Sequence, residues 1–392
     1  LTRYDQAAAP PVPSGDWAAR RVSGRLPQFP WDRLEPFRER AARVPGGVAD
    51  LSVGTPVDPT PEVVQAALRQ AADAPGYPQT YGTAALREAA AAWLARRLGA
   101  TGADPAGVLP TIGSKELVAA LPGLLGLGPG DVVVHPELAY PTYDIGARLC
   151  GAEPVASDSL VALGPRRVGL VWLNSPANPT GRVLPAAHLR KVVRWARERG
   201  VVLASDECYV ELGWVPDRRP VSVLHPDVCE GSYDGLLAVH SLSKRSNLAG
   251  YRAGFVAGDL ALVRELLEVR KHAGMMVPAP VQAAMTAALS DDAHVAEQRE
   301  RYAARRAALR FALVAAGFRV DHSEGGLYLW ATRGGERCWD TVGWLADRGI
   351  LAAPGEFYGR GGAEHVRVAL TATDERVAVA VARLGSVNGP GE

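Results

Sequence analysis

Residues 236–255 hold a lysine placed for covalent chemistry. An apolar run, 236–239, gives way to a polar turn with Ser241, Ser243 and Lys244, and Arg252 follows eight residues after the lysine, before a second apolar run. At the tip of a core strand an ammonium loses hydration, so the lysine either falls below its ordinary ~10.4 or is used covalently, as a Schiff base requires. A lone loop lysine is more often an exposed surface residue. Here two hydroxyls and a guanidinium lie close enough to hold a phosphate dianion beside the amine.

The elements that must position this lysine follow from periodicity. Apolar runs at 108–111, 132–134, 168–173, 201–204, 236–239 and 253–257 alternate with helical segments that begin at Ser114, near Pro141, at Ala186 and at Ala261. That alternation predicts an α/β domain with a mostly parallel sheet over 46–275. Upstream, a strand over 50–56 and two helices are expected, one over 62–72 with Thr60 as cap and Pro61 at its first position, the other from Thr83 to Arg97. Beyond 275, two long helical stretches and then alternating strands and helices give a smaller α+β domain, 276–392, completed by 31–45, where Asp32 could cap a short helix. Residues 1–30 form a Pro-rich arm ending in aromatics that dock rather than float. The glycine-rich run 123–130 lacks G-x-G-x-x-G spacing and joins a helix to a strand, so it reads as a plain turn.

Ligands of open parallel sheets bind beyond the carboxyl ends of the strands. After run 108–111 comes Gly113-Ser114-Lys115 at a helix start, a cradle of backbone N–H groups for an anion. After 132–134 come Tyr140 and Tyr143, able to stack on a flat ring. Run 168–173 leads into Asn174-Ser175-Pro176-Ala177-Asn178-Pro179-Thr180-Gly181, run 201–204 into Asp206 and Tyr209, and run 236–239 into Ser241, Ser243 and Lys244. Singly, Asn178 could be a turn residue, Tyr140 partial core, and Asp206 and Ser114 helix caps. Together they supply what a pyridine-ring aldehyde phosphate needs at one edge.

Composition narrows the alternatives. The chain has 392 residues, a formal net charge of +1 and 47% hydrophobic residues, which suits a soluble protein with a large core. No basic patch or acidic tail supports nucleic acid or a membrane surface as partner. Four cysteines, Cys150, Cys208, Cys229 and Cys338, are far apart and form no C-x-x-C pair, which argues for a reducing compartment and against a zinc or disulfide framework. With no apolar leader in the first 30 residues, the expected location is the cytoplasm.

Asn174 to Gly181, Asp206-Glu207-Cys208-Tyr209 and Ser241-Leu242-Ser243-Lys244 with Arg252 resemble, in order and spacing, the class I/II aminotransferases, fold type I pyridoxal 5′-phosphate enzymes, over residues 45–385. The resemblance implies a large domain with a mostly parallel sheet of seven strands beside a smaller α+β domain. It implies that Lys244 holds the cofactor as a Schiff base, that Asp206 pairs with the pyridine nitrogen and that Asn178 and Tyr209 lie on the ring oxygen O3′. It likewise puts Tyr140 on the ring face and Ser114, Lys115, Ser241 and Arg252 at the phosphate. Tyr77 matches a tyrosine sent across a dimer interface to the partner's phosphate, which implies a homodimer. Arg367 matches the arginine that grips the substrate α-carboxylate, with Gly54 and Asn178 beside it. The chemistry is consistent: a carboxylate at the ring nitrogen makes the ring an electron sink, a freed lysine can serve as base and then acid, and a guanidinium forks onto a carboxylate.

The whole chain, including Leu26-Pro27-Gln28-Phe29-Pro30-Trp31 and residues 270–280, is similar to actinobacterial succinyldiaminopimelate transaminases of lysine biosynthesis, although residues before about 22 depart from that pattern. That implies glutamate as donor and N-succinyl-2-amino-6-oxopimelate as acceptor, with Arg270, Lys271 and His272 as candidates for reading the acidic far end or as members of a solvated helix face. The other readings are an aminotransferase for aspartate, alanine or aromatic amino acids, a β-lyase on the same cofactor, a ligand-sensing regulator and a catalytically dead scaffold. The regulator would need a DNA-binding module, for which residues 1–45 leave no room.

Overall fold

The computed structural model describes residues 22–385; the first 21 residues of the expected arm lie outside them. Among the described residues thirteen strands follow one another: β1 (Ala49–Asp50), β2 (Val108–Ile112), β3 (Val132–His135), β4 (Glu153–Ala156), β5 (Val168–Asn174), β6 (Val202–Asp206), β7 (Leu236–Ser241), β8 (Ala253–Gly258), β9 (Arg319–Asp321), β10 (Tyr328–Thr332), β11 (Ile350–Leu351), β12 (Ala353–Pro354) and β13 (Val366–Ala369). Seven of them make the large sheet in the order β2-β8-β7-β6-β5-β3-β4, parallel except for β8.

Both faces of this sheet are covered, which is why β5 to β8 read as unbroken apolar runs rather than alternating ones. One face packs Val134, Val171, Leu203, Ala238 and Phe255 under helices that include Ala84–Leu98 and Ala279–Ser290. The opposite face packs Val133, Trp172, Leu237 and Val256 under helices Ser114–Leu124 and Leu260–Ala273. Helix Ala84–Leu98 begins as expected, with Thr83 Oγ1 accepting from the Leu86 N–H at 3.2 Å, and stops at Gly99 in the left-handed region.

A second core gathers Leu34, Leu51, Leu309, Leu329, Val342 and Val368, so residues from both ends of the chain share it. Its antiparallel sheet runs β12-β13-β10-β9, and β1 pairs in parallel with β11 alongside. Among the described residues no helix is long and apolar enough to cross a membrane.

Several local expectations need correction. Helix Glu62–Gln70 starts at the expected residue but ends two residues early, with Pro61 rather than Thr60 at its cap position, and the Thr60 hydroxyl donates instead to the Asn247 carbonyl at 3.4 Å. Asp32 lies within a 3-10 turn, Pro30–Leu34, and helix Glu35–Ala42 follows without a side-chain cap. The strand expected over 50–56 shrinks to two residues because the chain turns away after Asp50 toward the cleft. The glycine-rich run 123–130 is the plain helix-to-strand connection expected.

Candidate active site

Register brings the polar clusters together. Asn174 on β5 stands opposite Asp206 on β6, and Asp206 opposite Val239 on β7, so the carboxyl ends of the three central strands reach one edge. The antiparallel β8 starts at that same edge, with Gly254 opposite both Ser241 and Thr111. Its direction explains how Arg252, which precedes a strand, joins residues that follow strands. The helix-opening Gly113 and Ser114 come after β2 at the same place.

The anion cradle depends on two glycines. Gly113 has φ +72°, and a Cβ on it would meet the Arg252 guanidinium at 2.5 Å. A Cβ on Gly254 would lie 3.0 Å from the Ser114 amide nitrogen that opens the helix. The glycines therefore let a guanidinium and a helix N-terminus approach one point, where both favour negative charge. Arg252 itself has φ +54° and is steadied by the Ala249 carbonyl at 2.7 Å. Ser241 caps the one-turn helix Leu242–Arg245, its Oγ accepting from the Ser243 N–H at 3.2 Å, while Lys115 is exposed on the first turn after Gly113.

Lys244 sits on that one-turn helix, mostly withdrawn from solvent, and its amine donates to the Gly54 carbonyl. Burial lowers its pKa below the ordinary lysine value, assisted by the Arg367 and Arg252 charges and opposed by Tyr328 and Cys208. Asp206 is buried, with Oδ2 accepting from the Tyr143 hydroxyl at 2.7 Å and Oδ1 from the Cys208 N–H at 3.1 Å. Burial pushes its carboxyl above the usual range and those hydrogen bonds pull it back. Asn174 locks the neighbouring loop: its amide donates to the Asp206 carbonyl at 2.9 Å and its Oδ1 accepts from the Asn178 N–H at 2.7 Å. Tyr140 is half-buried, edge-on to Tyr143 at 5.9 Å, and burial lifts its phenol to about 12.

Opposite the edge, Arg367 on β13 is 3% exposed and donates to Asn178 Oδ1 at 3.0 Å and to the Ser52 carbonyl at 2.8 Å. Its guanidinium lies 3.9 Å from the Tyr328 ring centre and 4.8 Å from that of Tyr358, and its Nε has no hydrogen-bond partner. Tyr209 places its hydroxyl 3.2 Å from that of Tyr328. Gly54 is pressed against the Tyr328 hydroxyl, which occupies the space where a Cβ would stand.

Of the residues singled out in the sequence, Ser114, Lys115, Tyr140, Asn178, Asp206, Tyr209, Ser241, Lys244, Arg252, Gly54 and Arg367 line or adjoin this cleft. Tyr77 is 96% exposed. The cations near 270 do not line it. Arg270 is wholly buried in an ion pair with Glu116, at 2.8 and 3.1 Å, behind the anion cradle. Lys271 pairs with Glu268 at 2.6 Å, and both Lys271 and His272 are exposed. A buried guanidinium needs a fixed carboxylate, so Arg270 is structural. Tyr143 and Tyr328 are the contributors that sequence reasoning missed. Tyr143 stood out only as an aromatic available for stacking; its spacing of three from Tyr140 puts both on one side of a helix start, which was the signal available.

The inventory suits a flat heterocycle with a basic nitrogen, a phosphate and an aldehyde. A family model described as aminotransferase class I and II matches residues 47–384. A probable aminotransferase of Mycobacterium tuberculosis is 67% identical over 93% of this chain and 86% of its own length. A 4-dedimethylamino-4-oxo-anhydrotetracycline transaminase of Streptomyces rimosus is 65% identical over 92% of this chain and 99% of its own. Among solved structures, a probable N-succinyldiaminopimelate aminotransferase of Thermus thermophilus superposes with TM-score 0.82 at 28% identity, covering 92% of this chain and 100% of that one.

Proposed function

The chain belongs to the class I and II aminotransferases, and from that premise we propose that it moves the amino group of glutamate to N-succinyl-2-amino-6-oxopimelate. Enzymes of this family work with pyridoxal 5′-phosphate, which when bound supplies an electron sink for the pair released as the substrate Cα proton leaves. The cradle that a Cβ on Gly113 would fill fits the phosphate. Ser114, Lys115, Ser241 and Arg252 would hold it, joined by the partner subunit's Tyr77 in a homodimer. Asp206 would face the ring nitrogen, where the positive charge it meets favours its ionised form. Asn178 and Tyr209 would reach the ring oxygen, and Tyr140 would cover one face.

Lys244 would hold the cofactor covalently and, once released by the incoming amine, carry the proton between Cα and C4′. One observation carries this reading. Arg367 and Lys244 are both anchored on carbonyls of one short segment, Ser52 and Gly54. A carboxylate clamp and a proton carrier held on one short segment suit an α-amino acid, whose carboxylate is bonded to the Cα that loses the proton. The unpartnered Nε of Arg367 leaves a donor for the incoming carboxylate.

The succinylated acceptor is supported by the likeness to the probable N-succinyldiaminopimelate aminotransferase of Thermus thermophilus. The Streptomyces rimosus relative, at 65% identity, favours a second reading in which the acceptor is a cyclic ketone instead. Single-turnover conversion of the bound cofactor distinguishes them. Glutamate should convert it to the amine form, and N-succinyl-2-amino-6-oxopimelate should restore the aldehyde form faster than any cyclic ketone. Restoration by the ketone alone would replace the acceptor, and no conversion by any amino acid would remove the transaminase reading.

A further inference from the structure

Tyr328 belongs to none of the roles assigned above, yet it touches most of the groups that hold them. Its hydroxyl lies 3.2 Å from that of Tyr209 and fills the space that a side chain at residue 54 would take. The carbonyl of that same Gly54 receives the Lys244 amine, so lysine and phenol both abut one glycine. The ring is fixed from behind by the Arg367 guanidinium at 3.9 Å and from the side by the Tyr209 ring, edge-on at 5.8 Å. Backbone pairing with β13, Tyr328 opposite Ala369, ties the residue to the strand that carries Arg367.

We propose that Tyr328 is a positioning residue for Lys244: its hydroxyl, oriented by Tyr209 and by Arg367 over its ring, receives the lysine amine whenever that amine is not joined to the cofactor. This rests on Lys244 being the proton carrier. The amine freed by the incoming substrate must stay over Cα with a lone pair available, although Gly54 offers it only an acceptor. A phenol against that same glycine gives the amine a second, directional partner, which limits where the lone pair can point. With the cofactor bound, Nζ would carry the proton from Cα to C4′, and the phenol would neither gain nor lose a proton over the cycle.

The electrostatics of the site agree. Burial pushes the Tyr328 phenol up, but the Arg367 guanidinium and the Lys244 amine outweigh it and hold the phenol below the ordinary tyrosine value. Burial and the nearby Tyr328 oxygen drive Tyr209 the other way, so of the two hydroxyls Tyr328 gives up its proton more readily. Tyr328 raises the proton affinity of Lys244 against the stronger effect of burial. The other titratable groups around these phenols and the lysine are Cys208, Tyr140, Tyr358, Tyr302, Arg252 and one carboxylate, Asp206, which acts on Tyr209 and Tyr140.

The test is Tyr328→Phe, which keeps the ring under Arg367 and removes only the hydroxyl. In the donor half-reaction of the holoenzyme, kcat should fall about 10- to 100-fold while KM for the donor changes less than about threefold. Removing a group that raises the lysine proton affinity should move the acid limb of the kcat profile to lower pH by about half a unit or more. A loss expressed in KM, or an unmoved pH profile, would make Tyr328 a wall of the site and overturn the proposal. Cofactor-free protein gives an independent reading: ultraviolet difference titration should show one phenol ionising below the ordinary range in the parent and missing from Tyr328→Phe. A low-lying step retained in the variant would overturn the assignment as well. A parent enzyme inert toward every amino donor would instead remove the transaminase reading and leave the phenol titration still interpretable.

Discussion

Asp206 and Arg367 face the same cleft from opposite sides, but they are finished differently. Both Asp206 oxygens are occupied, by the Tyr143 hydroxyl and the Cys208 amide, and the loop before it is tied down by Asn174. Arg367 is as deeply buried, yet its Nε is unpartnered, and so is the hydroxyl of Tyr358 beside it. Buried polar groups are ordinarily satisfied, so the open donors mark where something else must bind. The closed side belongs to a large sheet whose three central strands end in register, and the open side to a smaller antiparallel sheet built from the other end of the chain. A resident group can be held by a finished surface. Successive substrates that share only a carboxylate need a surface with valences left over.

That contrast predicts two kinds of mutant. On the closed side Lys244→Ala has the largest expected effect: both half-reactions should slow by about 10³-fold or more, since the proposed carrier of the Cα proton is removed. Borohydride should then leave the variant without a trapped cofactor. Survival of ordinary turnover would break the division, because the finished side would not contain the chemistry. Asp206→Asn comes next. It keeps the shape of the carboxyl but removes its charge and one of its two acceptor oxygens, so kcat should fall about 10²- to 10³-fold for donor and acceptor alike. Stopped-flow rates for the two half-reactions measure this, and a change confined to one substrate would contradict a role toward the common cofactor.

On the open side Arg367→Lys keeps the charge and loses the fork. The guanidinium now bonds Asn178 and Ser52 at once, and an ammonium cannot serve both and a carboxylate with the same geometry. KM for the donor should rise about 10- to 100-fold, matching the loss of about 1.5–3 kcal/mol for a hydrogen bond to a charged group, with kcat changed much less. An equal fall in kcat would show that the two sides are not separable by role.

The two sides also differed in how far they could be read from sequence. Strands β5, β6 and β7 are covered on both faces, so they announce themselves as apolar runs, and the residues just past them carry the chemistry. Strands β11 and β12 are two residues each, too short for any period to register, and Glu153 to Ala156 in β4 contain a proline at a sheet edge. Tyr328 was hidden for a related reason. It begins a strand whose residues are all buried, and nothing local distinguishes a phenol turned to the cleft from one turned to the core. Arg270 misled in the opposite sense, because the carboxylate that neutralises it, Glu116, is 154 residues away.

The smallest expected effect concerns the scaffold of the open side. Asp321 on β9 is bonded by Arg319 at 2.7 Å and by His365 at 2.8 Å, and that imidazole stacks on Trp330, the residue paired with Arg367 across the sheet. The Arg319 hydrogen bond, helped by His365 and opposed by burial, holds the Asp321 carboxyl at about 2, whereas Asp206, with no cation beside it, is pushed up. A carboxyl with a depressed folded pKa contributes stability that is complete above its unfolded value near 3.8 and is lost as pH falls through about 2. Allowing for solvent screening, the contribution is about 1–2 kcal/mol. Urea midpoints measured between pH 5 and 2 should fall for the parent, and Asp321→Asn should begin lower at pH 5 and lose less on acidification. Parallel curves for the two proteins would mean that acid acts through other carboxylates and that this pair does not hold the strand beneath Arg367.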